Sequence, residues 1–441
     1  MKILIDPSVE EAAWALRRPS GSDPDTESKI REDVLRILNQ VEEDGDRALK
    51  ELTARFDGVE SDELRISDAE TEAAVMQVDE SLRTAIYTAK RNIEIFHESQ
   101  REKIYKIETM PGVLCWRESR AIDTVGLYIP GGTAPLISTV LMLGVPAQLA
   151  GCKNVILCSP PDQQGQIHPA ILYAAKICGI RDIFRVGGAQ AVAAMAFGTE
   201  TIPAVEKIFG PGNQYVTAAK MAVQSRGIAI DMPAGPSEVL VWADDHANPD
   251  FVAADMLAQS EHGADSQSVL ICESVEFAEK VKHSITHQKA QLSREDIIDE
   301  SLKNSVLIVL ERSKALSVLN DYAPEHLIIQ RKKGNYDPEE IRHAGSVFIG
   351  PFTPESAGDY ASGTNHTLPT NGYAKMYSGV SLDSFIKKIT FQEINAEGLQ
   401  ALDHAISTLA DAEQLDAHRE AVKIRLKTLS DEDQTMSSDL I

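Results

Sequence analysis

Thr124-Val-Gly-Leu-Tyr-Ile-Pro-Gly-Gly132 opens a stretch that carries no formal charge until Lys153. Its first part is a short β-rich run halted by a proline and a glycine pair, the pattern of a strand turning tightly into the next element. The remainder, to Cys152, is apolar and by length could span a bilayer. Pro130, Pro135, Pro146, the Gly131-Gly132 pair and several hydroxyls break it into a strand, a turn and a buried helix. The rhythm returns at Ile183-Phe-Arg-Val with Gly187-Gly188, and at Lys207-Ile-Phe with Gly210-Pro-Gly212. Short strands followed by glycines and small-residue helices argue for a parallel sheet of α/β type.

Working outward, a second series of strands is read in Glu238-Val-Leu-Val-Trp, Ser268-Val-Leu-Ile-Cys, Ser305-Val-Leu-Ile-Val-Leu, His326-Leu-Ile-Ile and Gly345-Ser-Val-Phe-Ile-Gly. Helices from Phe251 to Ser260 and Phe277 to His287 lie between some of them. Apolar residues recurring at three and four predict further helices over Ile30 to Leu49, Ala73 to Phe96, Glu397 to Leu409 and Ala412 to Leu429. The expected organisation is a larger α/β domain over 25–128 with 237–381, and a smaller one inserted at 129–236. A helical extension over 1–24 precedes them, and a helical appendage over 382–441, suited to reaching a partner subunit, follows.

The length of 441 residues fits two or three domains, and the net charge of −24 argues against nucleic acid or an anionic membrane as a partner. Acidic residues gather at both ends, including Ser430-Asp-Glu-Asp-Gln, as a solvated surface. The five cysteines, odd in number and without a CxxC pair, read as free thiols of a reducing cytosol. The start of the chain reaches Asp6, Glu10 and Glu11 before any apolar run long enough for export, so a cytoplasmic location is expected.

Gly210-Pro-Gly212 with Asp231 downstream imitates a dinucleotide fingerprint. The imitation is poor: Tyr215 stands at the third glycine position, and Asp231 opens an Asp-Met-Pro-Ala-Gly-Pro loop. The Gly131-Gly132 and Gly187-Gly188 turns are either plain strand-to-helix turns or a backbone cradle for a pyrophosphate.

Several polar groups carry potential chemistry. Gln259 and His262, three residues apart at a helix end, can reach one cation, and Asp359 in Gly-Asp-Tyr-Ala-Ser-Gly is a further donor. Mixed oxygen and nitrogen donors fit zinc or manganese, and glutamine is too weak a ligand for a closed structural zinc centre. Glu325-His326, at the mouth of an apolar strand, offers the neighbours that proton abstraction needs. Glu413 and His418 are five apart, a rotation of about 140° on a helix, so either the helix is interrupted or they hold opposite ends of something. His283 and His287 have metal-site spacing but lie among lysines, which suits a solvated face.

The motifs Gly126-Leu-Tyr-Ile-Pro-Gly-Gly132, Gly187-Gly-Ala-Gln190, Phe209-Gly-Pro-Gly-Asn213, Asp231-Met-Pro-Ala-Gly-Pro-Ser237, Gln259-Ser-Glu-His262, Pro324-Glu-His-Leu327 and Gly358-Asp-Tyr-Ala-Ser-Gly-Thr-Asn-His366 together resemble the histidinol dehydrogenase family. The resemblance covers 25–425. It implies two incomplete Rossmann-like α/β domains with helical extensions, in a zinc-dependent homodimer oxidising L-histidinol to L-histidine in two NAD-linked steps through the aldehyde. Carried over residue by residue, Tyr128, Gln190 and Asn213 would contact NAD. Gln259, His262, Asp359 and His418 would bind one zinc per subunit, His418 coming from the neighbouring subunit. Ser237, His326 and Glu413 would hold the substrate with those ligands, and Glu325 and His326 would be the acid/base pair. A related dehydrogenase of another small alcohol is the nearest alternative. A zinc hydrolase leaves Gln190 and the glycine turns unexplained. A thiol route would need an activated cysteine, and neither Cys115 nor Cys152 has a histidine beside it.

Overall fold

The computed structural model describes residues 1–18, 24–131 and 135–438, so Gly132 of the first glycine pair lies outside the described residues. Fourteen strands are described: β1 (Lys2–Ile5), β2 (Ile107–Met110), β3 (Val113–Ala121), β4 (Thr124–Tyr128), β5 (Asn154–Cys158), β6 (Asp182–Phe184), β7 (Lys207–Phe209), β8 (Ala229–Ile230), β9 (Glu238–Ala243), β10 (Gln267–Cys272), β11 (Val306–Val309), β12 (His326–Gln330), β13 (Ser346–Ile349) and β14 (Ile386–Ile394). They form a six-stranded sheet of order β1-β11-β10-β9-β12-β13, a five-stranded sheet of order β6-β5-β4-β7-β8 and a three-stranded sheet of order β14-β3-β2. The first two sheets are parallel throughout, as the alternation of strands and helices predicts.

Parallel strands covered on both faces need apolar side chains in both directions, which is why β9 and β10 read as unbroken hydrophobic runs. Val239 and Val241 pack with Val252, Met256 and Ile328 on one face, while Leu240 and Trp242 pack with Val269, Leu319 and Leu327 on the other. The five-stranded sheet is covered likewise, with Val125, Leu127 and Leu157 on one side and Ile156 and Ile208 on the other. The uncharged run after β4 is the buried helix Ile137–Ala150, with Pro146 inside it. No helix among the described residues is long and apolar enough to cross a membrane.

Three boundaries differ from the expected organisation. The first residues are not wholly helical: Lys2–Ile5 adds an edge strand to the six-stranded sheet, Ile3 opposite Leu307, before the short helix Val9–Ala15. Pro24–Phe56, expected with 237–381, packs instead on the five-stranded sheet, where Ile30, Val34, Leu38 and Leu49 meet Val192, Ala219 and Val223. Ile86 and Ile93 of the helix Glu80–Glu98 join the opposite face of that same sheet. An apolar helical stripe must be buried, but its spacing does not encode which sheet receives it. Finally, the segment after Leu382 is not only helical, since it begins with β14.

The chain forms two compact units, residues 1–100 with 122–385, and residues 101–121 with 386–441. In the second unit β14 pairs antiparallel with β3, from Ile386 opposite Ala121 to Ile394 opposite Val113, and Trp116 stacks on Phe391. The helices Ala396–Ala412 and Asp416–Ser438 follow.

Candidate active site

The chemistry-bearing groups of the six-stranded sheet gather at its amino-terminal edge. His326 is the first residue of β12, in register with Val239 of β9, and Gln259 and His262 sit where the helix Pro249–Ser260 ends ahead of β10. Loops after strands were the expected place. The short helix Glu355–Tyr360 supplies Asp359 and also Glu355, one turn earlier on the same face.

One ligand atom each from His262, Glu355 and Asp359 lies within 4.8 Å of the others. Gln259 is wholly buried, and neither its amide oxygen nor its nitrogen has a hydrogen-bond partner among the described residues. His326 is buried, and neither ring nitrogen has a hydrogen-bond partner among the described residues: Nδ1 stands 3.7 Å from Glu325 Oε2 and from Glu355 Oε1, and Nε2 stands 3.7 Å from Asp359 Oδ1. These separations exceed hydrogen-bond length. Buried polar groups are nearly always paired, so a cluster of orphaned donors and acceptors marks where a ligand is received.

The electrostatics agree. Burial pushes the carboxyls of Asp255 and Asp359 up to about 7, and burial together with repulsion from neighbouring carboxylates drives Glu325 and Glu355 well above the usual range. Burial, then the neighbouring imidazoles, lowers His326 to about 3 and His366 to about 4. Crowded carboxylates that resist ionisation, beside imidazoles that resist protonation, form a site that favours a cation. His262, Glu355 and Asp359 together make a donor set of the kind a divalent cation takes.

Glu325 is aimed by a reciprocal contact with Glu238 at the start of β9. The Glu238 amide donates to Glu325 Oε2 at 2.9 Å, and the Glu325 amide donates to Glu238 Oε1 at 3.3 Å. Arg18 pairs with the Glu238 carboxylate, donates to the Tyr322 carbonyl at 2.6 Å, and lies over the Tyr322 ring. It thereby ties the segment before Glu325 to β9. Ser237, half-buried, immediately precedes this network. His366 Nδ1 is 3.9 Å from Asp359 Oδ1, and its Nε2 is 3.4 Å from Thr139 Oγ1 on the helix Ile137–Ala150.

A cavity of about 980 Å³ opens at the carboxyl edge of the five-stranded sheet, and Tyr128, Gln190 and Asn213 all line it. Tyr128 ends β4, and its hydroxyl accepts from the Gly188 amide at 3.1 Å. Asn213 caps the helix Gln214–Gln224 through its side-chain oxygen, bonded to the amides of Tyr215 and Val216, so its NH2 group is the half left for a ligand. Gly210 adopts φ +126°, and a Cβ there would overlap the Tyr128 carbonyl, so only glycine lets β7 turn this close to β4. Asp231 is not the ribose carboxylate that the spacing imitated. It is buried, ion-paired with Lys220, and accepts from the Gly210 amide at 2.8 Å.

Glu413 and His418 belong to the second unit, where both are exposed. The helix is interrupted between them: Glu413 caps Ala396–Ala412, and Gln414 adopts φ +59° before Asp416 begins the next helix. His283 and His287 are exposed on the helix Val275–Lys289 and join no metal-ligand cluster among the described residues. All five cysteines are free; burial pushes Cys152, Cys178 and Cys272 up to about 12 and Cys158 higher still, far from an activated thiolate.

Sequence reasoning missed Glu355 and gave no role to His366. The signal for Glu355 was its spacing of four from Asp359.

The family model for histidinol dehydrogenase matches residues 21–426. The histidinol dehydrogenase of Bacteroides fragilis (strain YCH46) is 55% identical over 430 residues, 97% of this chain and 100% of that protein. That of Aliivibrio fischeri (strain ATCC 700601 / ES114) is 50% identical, covering 98% of each chain. The crystal structure of histidinol dehydrogenase from Elizabethkingia anophelis superposes with a TM-score of 0.94 at 52% identity, over 98% of this chain and 99% of that one. Likeness at this level, along almost the whole of both chains, is that of one protein family: the chain belongs to the histidinol dehydrogenases, NAD-dependent oxidoreductases of histidine biosynthesis.

Proposed function

We propose that the protein carries out the four-electron oxidation of L-histidinol to L-histidine through L-histidinal, in a site that two subunits of a homodimer complete. The observation that carries the reading is the cluster of exposed His262 with buried Glu355 and Asp359, beside His326, whose ring nitrogens have no hydrogen-bond partner among the described residues. Gln259, His262 and Asp359, with His418 of the partner subunit, would hold one zinc per subunit, and Ser237 and Glu413 would complete the grip on the substrate. Zinc, when bound, supplies a fixed positive charge that holds the amino and imidazole nitrogens of histidinol. NAD, when bound in the cavity lined by Tyr128, Gln190 and Asn213, supplies the hydride acceptor for each step.

The chain's own groups do the proton work. His326 Nε2 faces Asp359 and the donor cluster, so it is the atom placed to take the hydroxyl proton. Nδ1 faces Glu325 and Glu355, so a positive charge formed on the ring favours the ionised form of these two carboxyls, which burial otherwise disfavours. Glu325, a stronger base than an ordinary carboxylate because it is buried, then takes a proton from the water that hydrates the aldehyde. Free cysteines and a net charge of −24 suit a cytoplasmic enzyme.

Purified protein should reduce two NAD per histidinol, lose activity with a chelator and regain it with zinc. A one-to-one stoichiometry would sink the two-step reaction, and full activity in metal-free protein would sink the zinc site.

A further inference from the structure

With Asp231 locked against Lys220, the question passes to which group reads the adenosine end of the dinucleotide. Numbered within the five-stranded sheet, the strand order is 3-2-1-4-5, with β4 first and β5 second. On a doubly wound sheet of this order, the adenosine ribose lies beyond the carboxyl end of the second strand, where a carboxylate accepts its hydroxyls. β5 ends at Cys158, and Ser159-Pro160-Pro161 leads to Asp162, which lines the cavity.

This loop is held in place. A Cβ on Gly131 or on Gly187 would overlap Pro160, so the turns after β4 and β6 are glycine where the loop after β5 packs between them. Asp162 Oδ1 accepts from the amides of Gln164 and Gln166, each at 2.9 Å, and the Asp162 amide donates to the Gln166 carbonyl at 2.8 Å. The carboxylate is fixed by its own turn, and Oδ2 has no protein partner among the described residues. The other carboxylates lining the cavity are Asp33, on the helix Pro24–Phe56, and Asp57, the residue that follows that helix, and neither ends a strand.

We propose that Asp162 accepts the ribose hydroxyls of NAD at Oδ2 and, through its charge, rejects a 2′-phosphate, making it the residue that selects NAD over NADP. This rests on the reading that the cavity holds the dinucleotide. Asp162→Asn is the test, because asparagine keeps an oxygen for the two turn amides and removes the charge. Dissociation constants for NADH and NADPH are measured by calorimetry on zinc-loaded protein without histidinol. NADH should weaken by roughly tenfold with loss of a charged acceptor, and NADPH should tighten, moving their ratio by roughly a hundredfold. An unchanged ratio overturns the proposal.

Wild-type protein gives a second reading that does not depend on the variant's folding. 5′-AMP should bind about tenfold or more tightly than adenosine 2′,5′-bisphosphate, and equal affinities overturn the proposal. Gln190→Ala separates the two levels of inference. If it changes neither dinucleotide's affinity, the cavity reading fails and takes the proposal with it. If it weakens both while Asp162→Asn leaves their ratio intact, only the role of Asp162 fails.

Discussion

Replacing Arg18 by methionine removes a guanidinium that ties three pieces of chain together. Its side chain is 16% exposed and that of Glu238 is 2% exposed, so the pair is largely shielded from water. Breaking a buried pair by removing one partner costs about 3–5 kcal/mol, because the remaining charge stays buried. The lower end applies here, since the Glu325 amide and, at 3.5 Å, the Tyr322 hydroxyl still face the Glu238 carboxylate. About 3 kcal/mol corresponds to a drop of roughly a hundredfold in hydrogen-exchange protection across β9 and β12, measured by mass spectrometry on peptides from both strands.

The loss should also depend on pH. Burial already pushes the Glu238 carboxyl up, and Arg18 opposes that rise, so in the variant the carboxyl climbs further. A carboxyl whose folded pKa exceeds its unfolded value binds more protons in the folded state. The variant therefore recovers stability as pH falls toward the ordinary carboxylate range, and its deficit should be smaller at pH 5 than at pH 8. Arg18→Lys keeps the charge but not the fork and should fall between. Protection in Arg18→Met within threefold of wild type at pH 8, or a deficit of one size at both pH values, would refute the reasoning.

Glu325→Gln should retain more of aldehyde formation than of its hydration, whereas His326→Asn should slow both steps by roughly a hundredfold or more; equal losses in the two half-reactions of Glu325→Gln would count against that division. A randomly re-associated mixture of His418→Ala and His262→Ala chains should recover up to about a quarter of wild-type activity if subunits share a site, since about half of the dimers are mixed and each has one intact site, and verified mixed dimers without recovery would place the site within one chain. Burial pushes half-buried Asp57 up to about 6, so its ionised form opposes folding. Asp57→Asn should stabilise by roughly 1–2 kcal/mol above pH 6 and by nothing below pH 4, discounting a two-unit shift for partial exposure. Thermal denaturation at both pH values decides it: a gain of the same size at each would mean that titration is not the cause.

The two parallel sheets were legible because β-branched runs such as Val239-Leu-Val-Trp242 end in loops that glycine and proline punctuate. β1 escaped because four residues followed by Asp6-Pro7 are too few to show a period. The hairpin of β2 and β3 escaped because a half-solvated strand reading Trp116-Arg-Glu-Ser-Arg120 carries charges that mask its alternation. Gln259, His262 and Asp359 lay in sequence motifs; His262 and Asp359 meet in one cluster with Glu355, and the Gln259 amide is buried without a partner among the described residues. Glu355 stood in no motif: between Pro354 and Ser356 its environment is set by Asp255, Glu325 and His326, a hundred to thirty residues away in sequence order and supplied only by folding.

The cavity and the donor cluster stand at the carboxyl edge of one sheet and the amino edge of another. The two recognition tasks are thus separately heritable. On the proposed reading, changes between Tyr128 and Asn213 would retune the dinucleotide, and changes between Ser237 and His366, or at Glu413 and His418, would retune the alcohol and its proton partners. For directed evolution the fold offers two libraries that can be screened apart and then combined, with Thr139 facing His366 marking the seam where additivity should first fail.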